Sequence, residues 1–154
     1  MPSDSTVLAL VTRFAAQPHP LGVRVASDRL VDALVTLRDV LGYRYYVLGT
    51  ACERAETFDV VHAVRDVDTG DTVCVVAEIP KDPAEIASAA RVYTGADWYE
   101  REVWDLFGIR FLGHPDLRRI LLPDDYEGHP LRKGFAIDTP WGYRPSTRPA
   151  GGGS

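Results

Sequence analysis

Cysteine is scarce in this chain: only Cys52 and Cys74 occur in 154 residues, and they are far apart. No Cys-x-x-Cys pair exists, so thiolate ligation of zinc or of an iron–sulfur cluster has no sequence support. Both cysteines fall in valine-rich segments that read as strands, where buried thiols in a reducing compartment require no disulfide. Positive charge is also short, with 17 Lys and Arg against 22 Asp and Glu, a formal net charge of −5. A sequence-independent nucleic-acid binder would need a basic face, and a polybasic membrane anchor would need a basic cluster. No apolar run approaches the roughly 18–20 residues of a membrane-spanning helix. The opening Met1-Pro2-Ser3-Asp4 lacks the basic and long apolar regions of a secretory signal. A Gly-x-Gly-x-x-Gly after a strand and a Walker-type loop are both missing, so nucleotide cradling has no support. Local motifs assemble neither a Ser-His-Asp triad nor a nucleophile elbow.

What is present describes one domain with its own core, since 45% of residues are hydrophobic and 25% charged. A short helix is expected over 5–16, with Val7, Leu10, Val11 and Phe14 on one side; Gln17-Pro18-His19-Pro20 stops it. A strand over 21–26 follows. Ser27 then reads as the N-cap of a helix over 28–41, whose Leu30, Leu34, Leu37 and Leu41 recur at helical spacing, with Gly42 as its C-terminal cap. Three runs at 44–50, 57–65 and 72–79 form an antiparallel meander. In the second, Phe58, Val60, His62 and Val64 alternate with Asp59, Val61 and Ala63, the pattern of a half-buried strand. The stretch from Asp66 to Asp71 is a hairpin turn. A helix over 84–92 is expected, then a better marked one. There Asp97 is the N-cap with Glu100 three residues on, Tyr99, Val103, Leu106 and Phe107 make the core face, and Gly108 ends it. Prolines at 115, 123, 130, 140, 145 and 149 exclude long regular elements after Phe111. The expected fold class is α+β, helices packed on a small mixed or antiparallel sheet. The domain covers 1–135, and 136–154 form an extended, proline-rich arm or flexible tail.

Chemistry has few places to sit. His62 reads as a half-buried, hydrogen-bonded strand residue, because a metal site needs several converging ligands. Trp98, Glu102 and Asp105 share a helix face apart from the core stripe, and two carboxylates one turn apart could act as acid and base. A free-standing hydrolase or isomerase would use Glu102, Asp105 and His114. The plainer reading pairs Glu100, Glu102 and Asp105 with Arg101, Arg110, Arg118 or Arg119, holding the helix to the loop after it. Gly-His-Pro occurs twice, at 113–115 and 128–130, each time followed by leucine and then arginine. His114 and His129 would be only two imidazoles, and nearby arginines would repel a cation. Across 114–135, Arg118, Arg119, Arg132 and Lys133 balance Asp116, Asp124, Asp125 and Glu127. That balance, with Trp98, Trp104, Tyr126, Phe135 and Trp141, suits ion networks and a protein–protein interface.

The run Trp98-Tyr-Glu-Arg-Glu-Val-Trp-Asp-Leu-Phe-Gly-Ile-Arg-Phe, with Gly113-His-Pro-Asp-Leu-Arg-Arg-Ile-Leu and Glu127-Gly-His-Pro-Leu-Arg-Lys, resembles the signature of a known family. It is that of the C-type, or thirty-kilodalton, subunit of NADH-quinone oxidoreductase, respiratory complex I. Relatives serve complexes that use reduced F420 or ferredoxin, and energy-converting hydrogenases. The chain departs from the pattern in placing Glu53 one position late after the strand end and Gly134 where aspartate is common, and it is short for the family.

The resemblance implies a subunit that belongs to a proton-translocating NADH:quinone oxidoreductase yet is not catalytic by itself. It would bind no cofactor or metal; iron–sulfur clusters, flavin or another donor cofactor, and quinone would lie in partner subunits. It implies packing on the large quinone-site (D-type) subunit, beside the B-type and I-type subunits. The location would be the cytoplasmic face of the cell membrane, reached only through the complex, with no nucleic acid bound. Glu100, Arg101, Asp105, His114, Arg118, Arg119, His129, Arg132 and Lys133 are the residues expected to serve the interface and its internal bracing. A transiently attached regulatory module is the remaining alternative.

Overall fold

Ser3 opens the first helix, α1 (Asp4–Phe14), its hydroxyl accepting from the Thr6 amide. In the computed structural model, which describes residues 3–135, α1 buries Leu10 completely and lays Val7, Val11 and Phe14 against the core. The chain then forms β1 (Gln17–His19) and β2 (Gly22–Val25), an antiparallel pair across Pro20. Reading the two prolines as a plain helix stop misses β1, which occupies a sheet edge where proline is tolerated.

Helix α2 (Leu30–Asp39) is preceded by a single 3₁₀ turn over Ser27–Arg29, so Ser27 does not cap it. Leu30, Leu34 and Leu37 of the expected stripe are fully buried, with Ala33 beside them, while Leu41 lies past the end of the helix and is partly buried. The meander follows as β3 (Tyr45–Glu53), β4 (Thr57–Arg65) and β5 (Thr72–Pro80), antiparallel throughout and with a register shift between Tyr46 and Leu48. The sheet order is β1-β2-β5-β4-β3, and β2 runs parallel to β5, so the sheet is mixed.

β4 is more deeply buried than its alternation implies. Phe58, Val60, His62 and Val64 face the core, while Asp59 on the other face is covered by Arg24 and Arg54, which bind it at 2.6 and 2.8 Å. The cysteines are free, but Cys52 is exposed and Cys74 half-buried, so the expected burial fails for Cys52.

No helix forms over 84–92. The segment gives β6 (Glu85–Ala87) and then turns closed by amides of Val92 and Tyr93 on the Ala89 carbonyl. Ile86, Ala89 and Val92 are buried at a spacing of three, which imitates a helical stripe. The strand is fixed by parallel pairing with β7 (Arg110–Leu112), a distant partner no local pattern reveals. Helix α3 (Ala96–Phe107) starts before Asp97, with Gly95 at its N-cap position and no side-chain cap. Among the described residues, 113–135 hold no helix or strand, and the expected arm over 136–154 lies outside them.

Candidate functional site

Helix α3 is the spine of the site, and three of its charged residues, Glu100, Arg101 and Asp105, are buried. Asp105 is fully buried, so it parts from Trp98 and Glu102, which are exposed, on the face expected to lie apart from the core stripe. Its Oδ2 accepts three consecutive backbone amides, Ile120 at 3.1 Å and Leu121 and Leu122 at 2.9 Å. Its Oδ1 receives the Arg119 guanidinium at 2.5 Å. Burial pushes the carboxyl up, but the donors of Leu122, Leu121, Arg119 and Ile120 outweigh it and hold the group below the usual carboxylate range. A buried anion thus folds the loop over itself.

Arg119 continues the bracket. Its other nitrogen donates to the carbonyls of Tyr126 (2.7 Å) and Gly128 (3.1 Å), and the guanidinium lies against the rings of Trp104 and Tyr126. The expected pairing of Asp105 with an arginine of the following loop is present. Glu100 takes no arginine. Its oxygens accept from the Ser88 hydroxyl at 2.5 Å and the Ala89 amide at 2.6 Å, which ties α3 to the segment after β6. Burial raises this carboxyl to about 7, against those two hydrogen bonds. Ser88 carried no sequence signal. Glu102 is exposed.

The two Gly-His-Pro turns share a design. Gly113 and Gly128 both adopt positive φ, and each histidine returns to α3. The His114 Nδ1 accepts from the Asp116 amide at 3.0 Å, so a neutral ring carries its proton on Nε2, which donates to the Asp97 carbonyl at 3.2 Å. Its Nε2 lies 3.9 Å from Glu100. The His129 Nδ1 donates to the Asp105 carbonyl at 2.9 Å, and its ring meets Trp104 edge-on. The two imidazoles approach opposite ends of α3. The Arg132 Nε donates to the Phe107 carbonyl at 2.6 Å, capping the negative end of α3, and its guanidinium lies over Phe58.

Glu53 is the residue that sequence reasoning undervalued. Its carboxylate accepts the Lys133 amide at 2.6 Å and the Lys81 ammonium at 2.7 Å, fastening the end of the signature to β3. The Lys133 side chain is exposed. Arg118 is exposed too, bound only to Asp116 at 2.8 Å. Arg101 is buried against the Arg118 and Arg119 carbonyls and the Trp98 ring.

The proposed catalytic trio does not converge. Asp105 is held by Arg119 and the loop amides, His114 by Asp97 and Asp116, and Glu102 faces outward. Among the described residues, no three His, Cys, Asp or Glu side chains gather in a way that could hold a metal ion.

Gly108 closes α3 at φ 70° directly beneath His129. An added Cβ would meet the imidazole Cδ2 and, at 2.6 Å, Nε2. Gly108→Ala is expected to cost roughly 2–4 kcal/mol, left-handed strain plus overpacking. A denaturant midpoint equal to that of the parent chain would contradict this packing.

These residues all lie inside a region matched by a known family. The family described as "Respiratory-chain NADH dehydrogenase, 30 Kd subunit" matches residues 23–140. The chain belongs to that family. The C-type subunit of NADH-quinone oxidoreductase from Geobacter sulfurreducens is 37% identical over 149 residues, covering 90% of this chain and 92% of its own. The C-type subunits of Rhizobium rhizogenes (35%) and Trichlorobacter lovleyi (46%) match over 82% and 68% of this chain. This chain covers 66% and 61% of those two, respectively.

Two solved structures share the fold. A trypsin-resistant fragment of Nqo5 shares the fold, with a TM-score of 0.64 at 24% identity over 73% of this chain and 98% of that one. A chain of the membrane-bound sulfane sulfur reductase, an archaeal respiratory membrane complex, gives a TM-score of 0.74 at 25% identity, covering 84% and 82%.

Proposed function

We propose that the chain is a non-catalytic subunit of the hydrophilic arm of a complex-I-like, proton-pumping NADH:quinone oxidoreductase. It packs on the large quinone-site (D-type) subunit beside the B-type and I-type subunits, at the cytoplasmic face of the membrane. Iron–sulfur clusters, flavin or another donor cofactor, and quinone lie in partner subunits of the complex. One observation carries the reading: Asp105, Arg101, His114 and His129 are bound to groups that join α3 to 113–135, while Glu100 ties α3 to Ser88 and Ala89. They brace one surface, and the trio of Glu102, Asp105 and His114 does not converge on it. Among the described residues, no helix is long and apolar enough to cross a membrane. A second reading, the equivalent subunit of another electron-donor complex, draws on the likeness to the sulfane sulfur reductase chain.

The test is co-purification. Expressed with a tag in its source cell, the chain should bring the D-type, B-type and I-type subunits through high salt. Recovery as a monomer from intact membranes would end the proposal. Two arginines refine it. Arg118→Ala should leave the melt of the isolated chain unchanged, because its side chain is 69% exposed and its ion pair is a surface one. Arg132→Ala should cost about 1–2 kcal/mol by uncapping α3. If Arg118→Ala destabilised the isolated chain as much as Arg132→Ala, the division between outer and bracing arginines would fail.

A further inference from the structure

Among the described residues, four that carry acidic or basic side chains are buried as whole residues: Asp59, Glu100, Arg101 and Asp105. Three are compensated. Asp59 has Arg24 and Arg54, Asp105 has Arg119 and three amides, and Glu100 has the Ser88 hydroxyl and the Ala89 amide. Arg101 is the exception. It is 6% exposed, yet its bonds reach only the carbonyls of Arg118 and Arg119, at 3.4 and 3.3 Å. No carboxylate among the described residues contacts it. Asp116 lies close enough to feel its charge but is bound to Arg118 at 2.8 Å.

A guanidinium removed from water without an anion is an unfinished arrangement, since buried charges are ordinarily paired. Its Nη1 makes no hydrogen bond and is not sealed from solvent. Over the guanidinium lies Trp98, with 5.0 Å from the Arg101 Cζ to the ring centroid and 61% of the residue exposed. Arg118 stands beside it with its side chain 69% exposed. Arg118 is answered by Asp116 and also feels Asp124 and Asp97, so the cation here without a bonded anion is Arg101.

We infer that Trp98, Arg101 and Arg118 form a docking site for an aspartate or glutamate side chain of a partner polypeptide. The carboxylate meets the open edge of Arg101 in a fork-on-fork contact, and the Trp98 ring is covered by the arriving chain. A protein carboxylate is favoured over a small free acid because an exposed indole beside two arginines is the composition of a binding hot spot. The site rests on the subunit reading above and adds the chemistry of one contact to it.

The experiment uses the full chain in the assembled complex. Arg118→Lys places an amine at the site, and zero-length carbodiimide coupling followed by peptide mass spectrometry identifies the carboxylate it joins. The expected product links position 118 to an aspartate or glutamate of another polypeptide. In parallel, Trp98→Ala and Arg118→Glu, both at exposed positions, should weaken retention of the partners roughly tenfold or more. Coupling only to Asp116, with both variants assembling like the parent, overturns the docking site and leaves the subunit reading standing. A parent chain that brings no partner at all overturns both.

Discussion

Asp105→Asn is expected to lower the stability of the chain by about 3–5 kcal/mol, the usual consequence of breaking a buried, hydrogen-bonded charge pair. The amide can present one oxygen, either to the Leu121 and Leu122 amides or to Arg119, and its NH₂ group then faces donors. Arg119 is left as a mostly buried cation without its anion, its side chain being 12% exposed. The damage should spread beyond α3, because Arg119 also holds the carbonyls of Tyr126 and Gly128. Amide exchange should therefore quicken across 118–128 as one unit, while the β3–β5 meander stays protected. Loss of protection confined to 120–122 would show that Arg119 does not transmit the effect. Because the Asp105 carboxyl titrates below its ordinary range, its stabilisation is fully present above about pH 4 and is lost as pH falls through the lowered value.

A second large effect is hidden in the parent chain and appears when one of two residues is removed. Glu100 titrates at about 7, above its ordinary 4.5, so its contribution is complete below 4.5 and is lost as pH rises to 7. His62 is buried, bonded through Nδ1 to the Tyr46 hydroxyl at 2.7 Å, and its Nε2 has no partner. Burial lowers it from 6.5 to about 4, so its contribution is complete above 6.5 and is lost as pH falls to 4. Each effect is on the order of 3 kcal/mol, and between pH 4.5 and 6.5 they oppose each other. The parent should show a nearly flat stability there. Glu100→Gln should expose the histidine slope and become steadily less stable on acidification. His62→Asn, which keeps an acceptor or donor near Tyr46, should expose the reverse slope and lose stability toward pH 7. Denaturant midpoints at half-unit steps of pH test this; a Glu100→Gln profile parallel to the parent's would refute the buried-carboxyl account.

The legible parts of the fold were those whose cause is local. The β3–β5 hairpins declared themselves through alternation and turn residues, α2 through its leucines, and the end of α3 through Gly108. The strands β6 and β7 have three residues each and exist only because distant segments pair with each other, while β1, equally short, forms a hairpin that its prolines disguise. Over 84–92, Ile86, Ala89 and Val92 are buried three apart without a helix. The same division applies to the site. An arginine partner for Asp105 could be foreseen from charge types. The three amides it gathers could not, since backbone donors carry no letter in a sequence. Glu100 shows the opposite failure: four arginines were offered and it chose a serine hydroxyl and an amide instead. Asp97 and Glu100 looked like a capping box, but Glu100 faces the core and the helix begins before Asp97.

The parallel pairing of β2 with β5 has a consequence for how the chain is made. Val23 lies opposite Val75, so the pair closes across 75 − 23 = 52 positions, while every pairing within the meander closes across a short turn. Closing such a long loop is entropically slow, whereas neighbouring hairpins form quickly. During synthesis the β2–α2 segment emerges first, and Leu30, Leu34 and Leu37 must wait without cover until β5 has left the ribosome. The β1–β2 hairpin thus joins the sheet only once β5 exists, on the side of β5 away from β4 and β3.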